Sequence, residues 1–168
     1  MASKKKGLSL KLLLSACAAL LAVVTLILLV APGMSPKNDI AENISLSVMA
    51  FGNKDKLLAF SFLVLLPYIL LLAGIVLNVV SLLGKGGKLL PFIAAVCYVG
   101  AAVLFFIVMQ TYCVYVPEAL KDEARELYIK TIKKGFEETY TLGLGAIFSG
   151  VLSALCAGFS AVSVFVKK

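Results

Sequence analysis

The sequence predicts an all-α membrane protein: a four-helix transmembrane bundle with an amphipathic helix and a short β-ribbon on its exported side. Three observations predict it. First, 61% of the residues are hydrophobic and only 15% charged, with a mean hydropathy of +1.04; a soluble domain carries about 45–50% apolar and about 25% charged residues. Second, no charge interrupts Leu12–Pro36, Leu57–Gly84, Leu89–Pro117 or Thr139–Val166, and each stretch exceeds the about 20 apolar residues that cross about 30 Å of hydrocarbon. Third, the charges between these stretches sort by sign. The whole chain, 1–168, is read as a single membrane domain.

The first crossing, about 12–31, follows Lys4, Lys5 and Lys6. A cleaved signal would have an apolar run of about 7–15 residues, so this longer one is read as retained. The second crossing, about 57–83, contains Pro67, which is expected to kink the helix and free a carbonyl near mid-bilayer. Between the second and third crossings, 84–88 reads Gly84-Lys85-Gly86-Gly87-Lys88. A phosphate-binding P-loop requires Ser or Thr after its lysine, between a strand and a helix. Here Leu89 follows, and both flanks are membrane-length apolar runs, so the segment is a hairpin turn with anchoring lysines.

The third crossing, about 89–112, supplies Ala94, Ala95, Gly100, Ala101 and Ala102. The fourth, about 141–166, places Gly150, Ala154 and Gly158 four residues apart, and likewise Ser149, Ser153 and Ala157. Small residues at that spacing let another helix approach closely. Gly150, Ala154 and Gly158 are the candidate packing face, either within the bundle or between copies of the chain.

Charge sorting sets the orientation. The N-terminal segment, the 84–88 turn and the C-terminal Lys167-Lys168 carry lysines and no acid. The loops 32–56 and 113–140 hold every Asp and Glu, mixed with basic residues. Basic segments near helix ends are retained in the cytosol, so both termini and the turn are expected there, in a plasma or bacterial inner membrane. The net charge of +7 then meets anionic headgroups at about 1 kcal/mol per nearby basic residue. It does not point to nucleic acid.

The exported loops carry the candidate interaction surface. PEALKDEARELYIKTIKKG predicts a helix over 117–135, opened by Pro117 and acidic residues and closed by Lys133, Lys134 and Gly135. Glu126 and Lys130 are spaced to pair at i,i+4. Leu120, Ala124, Leu127, Tyr128, Ile132 and, past the expected break, Phe136 form one apolar stripe. This stripe rests on the first outer loop or on headgroups, or it meets a partner. Ile44–Phe51 alternates like a strand at its start and Tyr112–Val116 is β-branched and aromatic, so the two are expected to pair as a ribbon. Asn43-Ile44-Ser45 matches the glycosylation acceptor pattern.

Much catalytic chemistry has no residues to carry it. The chain has no histidine, which removes histidine-based metal, haem and acid–base schemes. No charged residue lies in the predicted membrane core, where proton relays place theirs. No catalytic, cofactor-binding or metal-binding residue is assigned, and no cofactor is expected. Cys17, Cys97 and Cys156 fall within crossings as packing residues, while Cys113 stands alone at the outer boundary. Tyr68, Tyr98 and Ser153 are expected at similar depth, as an intramembrane polar cluster that hydrogen-bonds between helices or lines a cleft for a lipid-like ligand.

Four crossings with cytosolic termini, a tight inner turn and two exported loops resemble the layout of claudin and tetraspan-type proteins. The resemblance is one of topology. With no tryptophan, the chain lacks the claudin outer-loop signature, and it has no cysteine-rich second loop. It also lacks the embedded glutamate of four-helix multidrug exporters, and no functional residue is carried over. The expected function is a non-catalytic scaffold or accessory subunit in the lipid bilayer. It engages another membrane protein or a second copy through the exported helix or the small-residue faces. The alternative is an oligomeric pore or transporter component for a small uncharged or lipid-like solute.

Overall fold

Apolar runs with no charge to exclude them from lipid satisfy their backbone internally, and helices do this within one segment. The computed structural model describes residues 10–38, 41–83 and 87–166 and forms four such helices: α1 (Leu10–Ile27, extended by a 3₁₀ turn at Leu28–Val30), α3 (Phe62–Leu82), α4 (Leu89–Phe106) and α7 (Leu144–Phe165). All four are long and apolar enough to cross a membrane. They run up, down, up and down: α1 packs on α3 and α7, and α4 packs on α3 and α7. Every substantial helix contact is therefore antiparallel, and the diagonals α1/α4 and α3/α7 scarcely touch. Lys4, Lys5, Lys6, Lys85, Lys167, Lys168 and most of the glycine-lysine turn lie outside the described residues. At that terminal end, the Lys11 ammonium donates to the Gly87 carbonyl at 3.4 Å, bringing the start of α1 beside the α3–α4 turn.

The other end carries both long loops, folded into a small cap. Strand β1 (Pro32–Pro36) lies between β2 (Ile44–Ser45) and β5 (Tyr140–Leu142), antiparallel to both. A second pair joins β3 (Leu58–Ala59) to β4 (Cys113–Val114). The expected ribbon between 44–51 and 112–116 is thus replaced by two pairings with other partners. After Ser45 the chain turns into a short helix, α2 (Leu46–Phe51), whose first turn is capped by the Ser45 hydroxyl accepting from the Val48 N–H. Leu46, Met49 and Ala50 are buried at i, i+3 and i+4 spacing, which outweighs the short alternation of ISLS. Gly52, at φ +85°, ends α2 in a backbone region open to glycine.

Strand β3 also explains why α3 begins at Phe62 rather than at 57. Ser61 caps α3 by accepting from Val64 N–H, and its hydroxyl donates to the Thr111 carbonyl at 2.7 Å. Pro67 consequently falls in the second turn, about 7–8 Å from the loop end at about 1.5 Å per residue, not at mid-depth. Helix α4 stops at Phe106, and a single turn α5 (Val108–Thr111) leads into β4.

The amphipathic helix is α6, Asp122–Thr139, shifted from the expected 117–135. Pro117–Leu120 forms a turn, with Leu120 N–H donating to the Pro117 carbonyl. At the other end the helix continues through Gly135, because Phe136 docks against Tyr112 and Tyr140. Its last carbonyls are received by Lys37, whose N–H donates to Thr139 and whose ammonium donates to Glu137. Arg125 pairs with Asp122 and Lys134 with Glu138, while no ion pair joins Glu126 to Lys130.

Candidate functional site

The apolar stripe of α6 divides into a docked half and a free half. Phe136 is buried at 8% exposure, between the Tyr112 ring at 5.5 Å and the Tyr140 ring at 5.5 Å. Tyr128 and Ile132 are half-buried against the same core. Further back, Ala124 is exposed, Leu127 is 68% exposed and Leu120 is half-exposed. Burying a leucine is worth about 1.5–3 kcal/mol, and the fold leaves that contribution from Leu127 unused. Burial, with a smaller contribution from the Glu137 carboxylate, pushes the Tyr112 phenol up to about 12. Its hydroxyl has no hydrogen-bond partner among the described residues.

Beside the docked half runs a groove of about 440 Å³. Its apolar surface comes from Ile44, Leu57, Ile132, Phe136 and Tyr140, and Thr131, Gly135 and Thr139 form the α6 wall. Glu42, Asp55 and Lys56 stand on the opposite rim. Lys56 pairs with Glu42 at 3.1 Å, both partly exposed, a contact worth about 0–1 kcal/mol. The Asp55 carboxylate has no cation within ion-pair distance among the described residues.

The 53–58 hairpin builds this rim. Asn53 and Leu58 exchange both backbone hydrogen bonds, and the Asn53 side chain accepts from Asp55 N–H at 2.9 Å. Leu57 closes the loop at φ +55°, a left-handed conformation that costs a side-chain-bearing residue about 1–2 kcal/mol. It is held by Leu57 N–H donating to Lys54 and by its carbonyl accepting from Tyr115. Lys54 in turn lies over the Tyr115 ring at 5.4 Å.

Within the bundle, polar residues gather, though not as Tyr68, Tyr98 and Ser153. The Asn78 side-chain amide donates to the Tyr98 hydroxyl at 3.1 Å and to the Ser160 hydroxyl at 3.0 Å. All three residues are fully buried. Asn78 on α3 and Ser160 on α7 face each other across the bundle axis, so this bond spans a diagonal that little else bridges. Tyr98 reaches it because α3 has Gly74 one turn before Asn78; a Cβ there would overlap the Tyr98 ring. The Ser153 hydroxyl instead donates to the Ser149 carbonyl on its own helix at 2.7 Å. Tyr68 packs edge-on against Phe105 at 5.1 Å, its hydroxyl without a partner among the described residues.

The small-residue face of α7 also splits. Gly150 is buried under Phe106, where a Cβ would approach the ring to 2.8 Å, whereas Ala154 and Gly158 face outward. Contact inside the bundle is made by Ser149, Ser153, Cys156, Ala157 and Ser160. Asn78 and Ser160 are legible in the sequence as intramembrane polar residues suited to interhelical hydrogen bonding, but not as each other's partners, and the rim residues Asp55 and Leu57 carry no such signal. A lone asparagine in an uncharged stretch was the available signal for the first.

No group of three or more His, Cys, Asp or Glu residues is placed to hold a metal ion among the described residues. Comparison with protein-family models and with curated proteins finds no match to this chain.

Proposed function

We propose that this chain is a non-catalytic four-pass membrane protein serving as a small scaffold or accessory subunit. In this reading the loop end is exported from a plasma or bacterial inner membrane, both termini are cytosolic, and α6 engages a partner. The observation that carries it is the divided stripe: Ile132 and Phe136 fix α6 to the cap while Leu127, one turn away, stays 68% exposed. Exposed apolar surface beside a groove is characteristic of interaction sites.

The partner is another membrane protein or a second copy of the chain. Pull-down from mild detergent is expected to recover a defined complex, and Leu127→Glu with Tyr128→Glu to weaken recovery by about tenfold or more. Unchanged recovery from a folded double variant would remove α6 from the interface.

A pore or transporter component for a small uncharged or lipid-like solute is the weaker reading. It needs polar residues free to line a path, whereas Asn78, Tyr98 and Ser160 are bonded to one another across the axis. Liposome flux abolished by Ser153→Leu would favour it over the scaffold.

A further inference from the structure

Two residues that line the groove are unfavourable where they stand, and neither is explained by packing. Gly135 sits inside α6, where glycine weakens a helix relative to alanine. Its φ is not left-handed, and a Cβ added there would meet nothing within 4 Å. Leu57 occupies a left-handed turn position that glycine or asparagine would fill without strain. Both open onto the same cavity: Gly135 keeps its α6 wall low, and Leu57 supplies apolar surface opposite. Local rules broken at one place without a structural return mark a site shaped for something else.

The rim states the chemistry of the occupant. Glu42 and Lys56 pair with each other, which leaves the Asp55 carboxylate without an ion-pair partner among the described residues. An occupant with a cation there and an apolar group over the Phe136–Tyr140 rings would match both surfaces. The groove is open along α6 from Thr131 to Thr139, and the exposed Leu127 stands one turn before Thr131 on the same helix, which suits an extended chain better than a compact small molecule.

We propose that this groove receives a segment of a partner protein that lays an apolar side chain over Gly135 and sets a Lys or Arg against Asp55. The proposal rests on the reading that α6 engages a partner, and it adds the chemistry of the contact. Its form is a hydrophobic anchor in a pocket with a charged contact on the rim.

The test is selection of short phage-displayed random peptides on the full chain in phosphatidylcholine nanodiscs, with empty nanodiscs as the reference. Enriched peptides are expected to pair Lys or Arg with an aromatic or branched aliphatic residue. Gly135→Leu, which fills the wall and is a stronger helix former, is expected to weaken their binding by about tenfold or more without lowering the unfolding temperature. Asp55→Lys is expected to switch the enriched charge to Glu or Asp.

Peptides indifferent to both substitutions yet lost in Leu127→Glu would overturn the groove while leaving α6 as the partner surface. Enrichment no greater than on empty nanodiscs would overturn the groove and assign the binding to lipid. Groove binding that persists while Leu127→Glu with Tyr128→Glu leaves the detergent complex intact would support the groove and count against the wider α6 interface.

Discussion

At the scale of single residues, the bundle interior sets a hydrogen bond against a steric requirement. Each interhelical hydrogen bond in a membrane protein is worth about 0.6 kcal/mol on average, so Tyr98→Phe is expected to cost about that much. Gly74→Ala forces a methyl into the Tyr98 ring, and overpacking of a closed core costs about 1–3 kcal/mol. The second substitution should therefore lower stability more than the first, as measured by reversible unfolding in detergent. The reverse order would mean that Asn78, not shape, determines how Tyr98 is seated. The sequence places both Tyr98 and Asn78 inside the membrane but does not show that they meet. Depth follows from counting along a helix, whereas rotation about the helix axis decides which side chains meet, and an almost uniformly apolar helix gives little indication of rotation. Asn78 was the informative residue because a buried amide must find partners.

At the scale of elements, α6 is held to the cap through Tyr128, Ile132 and Phe136, and that attachment includes a titrating group. Tyr112 has a folded-state value of about 12, raised from the ordinary phenol value of about 10. The detached state therefore loses the proton first as pH rises. The stabilising contribution of the neutral phenol is complete below pH about 10 and is lost between about 10 and about 12. Hydrogen exchange across 122–139 is expected to accelerate in that window, and Tyr112→Phe to remove the step attributable to this ring. Acceleration unaltered by Tyr112→Phe would place the alkaline sensitivity elsewhere. The existence of α6 was legible from its 3.6-residue stripe; its limits were not, since neither Pro117 nor Gly135 caps it. Gly135 reads as a stop signal until Phe136 finds a socket between Tyr112 and Tyr140, a contact made across the fold. For the same reason ISLSVMAF reads as a strand at its start: Ser45 as an N-cap and the Leu46, Met49, Ala50 spacing were present, but the short alternation obscured them. Pro32–Pro36, rich in turn residues, gives no strand signal, and its pairing is imposed by β2 and β5.

At the scale of the whole molecule, four spans and their antiparallel order follow from the uncharged runs, since lipid tolerates few alternatives for a backbone. The cap was less legible because its strands are two to five residues long and draw partners from distant parts of the chain. Orientation rests on lysines sorting to one end. With Tyr128→Cys in a Cys113→Ser background, a membrane-impermeant thiol reagent is expected to label intact cells. Labelling only after lysis would invert the molecule and put α6 in the cytosol.

The diagonal contact from Asn78 to Ser160 also bears on biogenesis. Strand β1 waits for β5, and Asn78 waits for Ser160, so the first and second quarters of the polypeptide acquire these partners only after the last quarter has been synthesised. Until then the nascent chain holds the Asn78 carboxamide with Tyr98 as its one interhelical hydrogen-bond partner among the described residues, and strand β1 with its β5 edge unpaired. Both are features by which a membrane chaperone or protease can tell an unfinished product from a completed one.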